Sequence, residues 1–258
     1  MIVAQDQDDV PRRLRECRGG RETSRLDAWI PAALLFPGSL AFLGGGSRHP
    51  HVNAMTMPAP GSDEYFRHFA GMMLAMPRWE LIHTLILVGP VLWALAAAGI
   101  TRLFPDRATA LGDVARTALI TGATLWALAF VLDGYVGPRH AQALIAAGPG
   151  SDAATIATFG ANAFTMARIG MISIALMGAA VLTMSAGLLF GARLRSWRAF
   201  VGGTGLLVGA WPLCATVTGE FSPGPFTSVY WTATALALGV WFLLLGTALP
   251  GLRPRVSS

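Results

Sequence analysis

Histidines and a few carboxylates carry most of the chemistry that this sequence could perform. The histidines are His49, His51, His68, His83 and His140. Glu80 and His83 are three residues apart, a spacing that puts both side chains on one face of a helix. A Glu-x-x-His pair turned into a helix bundle is the arrangement of carboxylate-bridged metal sites, which draw on two such helices; this chain has one. A zinc or copper ion held by His83 and Glu80 with His49, His51 or His140 would satisfy the ligand chemistry of a divalent metal. A haem with His83 and a loop histidine as axial ligands is an alternative. It would be non-covalent, since no Cys-x-x-Cys-His occurs. The plainer alternative is that Glu80 and His83 are solvated at a water interface or hydrogen-bond between helices.

Three carboxylates, Glu80, Asp133 and Glu220, could act as acid and base on a lipid or isoprenoid. Arg168 falls inside an apolar run, where an ionisable group is expensive unless paired. Asn162, Thr165 and Arg168 recur every three residues and would line one face of a helix. An Asp133–Arg168 ion pair is the simplest resolution, with Glu220 as a second partner for the arginine. Arg168 could instead hold the anionic group of a ligand, with Asn162 and Thr165 beside it.

The elements that must position these groups are membrane helices. The chain of 258 residues is 53% hydrophobic and only 13% charged, where soluble domains carry about a quarter charged residues. Six runs reach the roughly 20 apolar residues that a helix needs to cross a bilayer. They are Ala28–Gly46, Trp79–Leu103, Gly112–Val136, Asn162–Phe190, Arg198–Gly219 and Phe226–Leu249. The expected fold is therefore all-α, a bundle of six transmembrane helices over 28–250. A basic tail at 1–27, expected to be disordered, precedes it, and a short tail at 251–258 follows.

Every basic residue is arginine. Arginines gather before the first run, around the second and fourth connections, and after the last run. Arg48, Arg67, Arg78 and Arg139 are the few in the other connections. The positive-inside rule then puts both termini in the cytoplasm, and the composition points to a bacterial plasma membrane. Arg12-Arg13 resembles a twin-arginine signal, but the first apolar run is longer than a signal-peptide core and no Ala-x-Ala follows it, so the run is expected to stay as a span. On this orientation all five histidines lie toward the outside.

The first outer connection, Ser47 to Arg78, should contain a short amphipathic helix. Ser62 is a fitting N-cap, and Tyr65, Phe66, Phe69, Met72, Met73 and Met76 recur at helical spacing. That helix would lie on the membrane surface or act as a lid. The second outer connection, Gly137 to Ala161, reads as an Ala/Gly-rich loop. Trp29, Trp79, Tyr135, Trp197, Tyr230 and Trp231 near span ends read as an aromatic belt. Gly202, Gly205 and Gly209 offer a small face for close helix packing.

Several functions are excluded. The scattered arginines form no stripe for nucleic acid, and no nucleotide-binding motif is present. No repeat relates the two halves, against an inverted-repeat transporter. Cys17 and Cys214 are too far apart in the topology to pair.

The motifs Gly45-Gly46 with His49-Pro50, Trp79 with His83, and Asp133-Gly134 resemble a diffuse group of uncharacterised actinobacterial membrane proteins. The resemblance covers the first half of the chain. It implies interest in His49, His83 and Asp133 and brings no activity with it. The sequence thus suggests a membrane protein with an outward-facing polar pocket for a metal, haem or small amphiphile. A carboxylate enzyme acting on lipids, and a small transporter or a subunit of a membrane complex, are the alternatives.

Overall fold

The computed structural model describes residues 25–49, 58–59, 61–102, 104, 108–148, 153–190, 192, 196–217 and 227–251. Most of both tails, together with His51 and Glu220, lies outside the described residues.

The chain is an all-α bundle, with no strand among the described residues. Its helices are α1 (Arg25–Gly46), α2 (Asp63–Ala75), α3 (Trp79–Thr101), α4 (Thr109–Val131), α5 (Gly137–Ala146), α6 (Ala153–Leu189), α7 (Trp197–Val217) and α8 (Thr227–Ala248). A π-helical segment, Leu132–Val136, joins α4 to α5 without a break. Among the described residues five helices are long and apolar enough to cross a membrane: α1, α3, α4 with its extension through α5, α6 and α7. The last helix, α8, has 22 residues, and its stretch Thr232–Ala248 is apolar.

Helices that follow one another along the chain pack side by side: α1 on α3, α3 on α4, α4 on α6, α6 on α7 and α7 on α8. The last, α8, returns to α1 and closes the ring. Glycines set the closest approaches. A Cβ on Gly89 of α3 would lie 2.8 Å from the carbonyl oxygen of Gly38 on α1. One on Gly209 of α7 would lie 2.6 Å from that of Gly178 on α6. The small face read from Gly205 and Gly209 thus lets two backbones nearly touch, as lipid-embedded helices require when packing drives their association.

Between these contacts the core is aromatic. Trp93, Trp126 and Trp241 are almost wholly buried, and Trp93 stacks on Phe242 at 4.3 Å between ring centroids. Each indole N–H finds an acceptor, as a buried indole must. Trp93 donates to Ser39 Oγ, Trp126 to the carbonyl of Ile86 and Trp241 to that of Val201.

One end of the bundle carries a second, smaller core. Ser62 caps α2 by accepting the backbone N–H of Tyr65, as its sequence position predicts. The apolar face of α2 meets protein: Phe66, Ala70 and Met73 pack with Trp79, with Ala141 and Leu144 of α5, and with Ile156 and Phe159 of α6. This is the lid arrangement rather than a helix lying free on a surface. The region read as an Ala/Gly-rich loop is largely helical. Pro138 near the start of α5 is preorganised for a helix, and alanine and leucine propagate it. At 37 residues, α6 is about 55 Å long, well beyond a hydrocarbon core of about 30 Å. Its first turns therefore have length to spare for holding α2 and α5.

Candidate metal centre

Three elements converge beneath α2 and α5. The first is the end of α1. A Cβ on Gly45 would lie 2.9 Å from the carbonyl oxygen of Ile82, so α1 finishes directly against α3. The chain then turns, with the N–H of His49 donating to the carbonyl of Gly45 at 3.0 Å. The second is the start of α3, where Arg78 takes a left-handed conformation with φ of 63° and Trp79 and His83 follow one turn apart. The third is the π-helical segment. Its wider turn departs from the α register, and both Asp133 and Gly134 are buried on it. Single π turns of this kind are frequent at functional sites.

His83 is completely buried. Its Nδ1 lies 2.7 Å from the carbonyl oxygen of Trp79. A carbonyl only accepts, so Nδ1 carries the proton of that hydrogen bond. Nε2 lies 2.9 Å from Oδ2 of Asp133. In a neutral imidazole this places a nitrogen lone pair against a carboxylate oxygen, which is repulsive unless a proton or a metal ion lies between them. The Nε2 of His49 is 3.8 Å from the same oxygen. The second oxygen of Asp133, Oδ1, is buried and has no hydrogen-bond partner among the described residues. A buried carboxylate oxygen in that condition is a costly feature, and one that a bound ion or water satisfies.

The surroundings hold these groups in place. The indole of Trp79 stacks on the His83 ring at 4.4 Å and donates its N–H to the backbone carbonyl of Asp133 at 2.9 Å. Phe130 lies 5.5 Å from the imidazole, centroid to centroid and tilted, and His49 meets it edge-on at 5.0 Å. Gly134 makes the approach possible, since a Cβ there would stand 2.6 Å from Cβ of His83. On the outer side of the segment the hydroxyls of Thr84 and Tyr135 are 2.5 Å apart, a second tie between α3 and the π turn. The His49 side chain keeps 32% of its exposure, so the cluster has one partly exposed member beside the buried pair.

The donor atoms of His49, His83 and Asp133 lie within 4.8 Å of one another. Two imidazole nitrogens and a carboxylate suit a first-row divalent ion. Bonds of about 2.0–2.2 Å at tetrahedral angles hold donors about 3.4 Å apart, so an ion would open the His83–Asp133 pair slightly and draw His49 inward.

The other residues singled out from the sequence lie elsewhere. Glu80 is exposed, although it is one turn from His83. His140 is half-buried on α5 and belongs to no cluster with His83. His68 is exposed on α2. Asp133 takes His83 and His49 as its ionic partners, and the expected Asp133–Arg168 pair is not formed. Arg168 and Thr165 are exposed on α6, while the Asn162 amide donates to the carbonyl of Leu132 at 3.5 Å. Trp79, read as part of an aromatic belt, is buried and works inside the site; Trp29, Tyr135 and Trp197 are exposed near helix ends. The side chains of Tyr230 and Trp231 lie outside the described residues. Nothing in the sequence marked the π turn except the Asp-Gly step after an apolar run.

The sequence matches no protein-family model and no curated protein, and the fold matches no solved structure. The helices and the cluster define the class by themselves: an all-α membrane bundle with a buried histidine–aspartate pair near one end.

Proposed function

We propose that this chain is a six-span protein of the bacterial plasma membrane, with both termini in the cytoplasm, that binds a divalent transition-metal ion on its outer side. The ligands are the Nε2 atoms of His49 and His83 and the carboxylate of Asp133. One observation carries the reading. With Nδ1–H of His83 fixed on the Trp79 carbonyl, Nε2 and Asp133 Oδ2 face each other at 2.9 Å and are held by a shared proton or a metal ion, while Oδ1 has no partner among the described residues and is open to a ligand. Histidine that donates its second nitrogen to a carbonyl is the usual way a metal ligand is oriented.

A metal ion fits better than haem, because Asp133 already occupies the space in front of His83 Nε2 that a porphyrin would need. It also fits better than carboxylate catalysis on a lipid, because Glu80 is exposed and does not converge with Asp133. Three protein donors leave coordination positions open, which is the pattern of reactive or exchanging sites rather than of closed structural ones.

The test is metal content and affinity. Protein stripped with chelator is titrated with Zn²⁺, and with Co²⁺ as a coloured probe of imidazole ligation. About one ion per chain is expected for the wild type, and none at the same concentration for His83→Ala. Equal uptake by both proteins, or no uptake by either, would overturn the reading.

A further inference from the structure

A second feature stands apart from the histidine site. Arg168 lies on α6 well inside a helix of membrane-spanning character, and it is exposed. Two bonds fix its level. Asn162 reaches the carbonyl of Leu132, and Ser173 donates to the carbonyl of Gly122. Arg168 therefore falls between the Leu132 and Gly122 levels of α4, about 9 Å deeper than Asn162 at 1.5 Å per residue. Apolar side chains flank it on the same surface, with Phe164 and Ile172 both exposed.

Among the described residues Arg168 forms no ion pair. The contrast with Arg198 is instructive. That guanidinium closes the end of α6 by donating to the carbonyls of Leu188 and Phe190. An arginine left on the apolar surface has to reach for the headgroup region. The path up runs beside Phe164: the exposed residues above Arg168 on this surface are Phe164 and Thr165, one turn up, and then Ala161 and Ala157, which continue the stripe with small side chains. Thr165 adds a hydroxyl one turn above, while the Asn162 amide is turned inward to the Leu132 carbonyl.

We infer that Arg168, with Thr165, is a binding site for the phosphate of an anionic glycerophospholipid in the leaflet on the His83–Asp133 side. A guanidinium donates in parallel to two oxygens of a phosphate, and the alanine track gives the headgroup and its chains room against the helix. A second copy of this protein is the poorer occupant. Of the acids described within the spans, Asp133 is buried and already paired, Asp113 pairs with Arg116 near the start of α4, and Glu80, though exposed, sits in the first turn of α3, above the His83 level rather than at the depth of Arg168.

The test uses full-length protein in nanodiscs of mixed phosphatidylglycerol and phosphatidylcholine, with bound lipid counted by native mass spectrometry. The wild type should retain about one phosphatidylglycerol per chain, above its bulk share. Arg168→Gln should lower that occupancy on the order of tenfold, Arg168→Lys should fall between, and Arg139→Gln, which removes another exposed arginine, should leave it unchanged. A wild type that holds the two lipids in their bulk ratio overturns the inference without any variant. So does an Arg139→Gln effect equal to that of Arg168→Gln, or an Arg168→Gln variant that changes oligomeric mass rather than lipid content. If Arg168→Gln does not insert, the wild-type ratio and Arg168→Lys decide.

Discussion

His83 Nε2 lies 2.9 Å from Asp133 Oδ2, across the boundary between α3 and the π turn that ends α4. The contact joins two spans near one end of the bundle and is braced from both sides. The Trp79 carbonyl holds the far nitrogen of the imidazole, and the Trp79 indole holds the backbone of Asp133. One residue therefore orients both members of the pair. Supporting groups of this kind fix a site's geometry before any ion arrives.

If that pair is the heart of a metal site, its two members should be separable by substitution. Asp133→Asn keeps the shape but removes the charge, and His83→Ala removes a donor. Both should weaken Zn²⁺ binding by at least ~100-fold, since each deletes a ligand rather than a supporting group. A ligand at about 100 times its Kd stabilises the native state by about 2.7 kcal/mol. Added Zn²⁺ should therefore raise the Tm of the wild type and leave both variants unmoved. A Tm rise of equal size in Asp133→Asn would show that the ion binds elsewhere.

Gly134 is a sharper probe of packing. Its missing Cβ leaves the room that Cβ and the ring of His83 occupy, with only 2.6 Å available to the His83 Cβ. Neither neighbour is a flexible side-chain end, so Gly134→Ala should force α3 and the π turn apart. Overpacking of this kind costs about 1–3 kcal/mol. The expected result is a lower Tm together with weaker metal binding. Gly46→Ala, at a position with open space around it, should change neither.

Much of this arrangement is legible in the sequence, and the exceptions have physical causes. The spans follow from apolar length, and the start of α2 follows from Ser62, because both depend on local chemistry. Glu80 and His83 illustrate the limit. Helical spacing puts them within one face, but only the packing of α1 and α4 decides that His83 turns inward and Glu80 does not. Asp133 shows the same limit between helices. Its depth called for a cationic partner, and Arg168 sat at a suitable depth on another span. The shift to π geometry turned the carboxylate toward α3 instead. Trp79 looked like an interface anchor because its position near a span end is all the sequence displays; its hydrogen bond to Asp133 is a tertiary fact.

The small core beneath α2 should respond to alkali through Tyr65. Burial raises the phenol above its ordinary value of 10.0, because the charged phenolate is poorly solvated there. The neutral form is thus favoured by the folded state. Its contribution to stability is complete below about pH 10 and is lost as pH climbs through the raised native value. Hydrogen exchange over Asp63–Ala75 should accelerate in that alkaline window for the wild type and much less for Tyr65→Phe. Identical alkaline profiles for the two proteins would show that the phenol plays no part in holding α2 down.

Trp79→Phe tests whether the support and the site are one structure. Phenylalanine retains an aromatic ring to lie over His83, so the stack at 4.4 Å can persist, but the N–H that holds the Asp133 carbonyl is gone. Loss of a buried hydrogen bond of this type costs about 1 kcal/mol, and more if the carbonyl is left without a partner. Stability alone cannot distinguish a scaffold from a positioning residue, since either would lower the Tm. Metal affinity can. Removing a group that orients a ligand typically weakens binding by about 10–100-fold, with stoichiometry unchanged. Trp93→Phe, which breaks a comparable buried indole bond to Ser39 deeper in the bundle, should lower the Tm by a similar amount and leave the Kd for Zn²⁺ where it was. A Trp79→Phe protein that is destabilised yet binds Zn²⁺ like the wild type would assign Trp79 to the core alone and detach it from the His83–Asp133 pair.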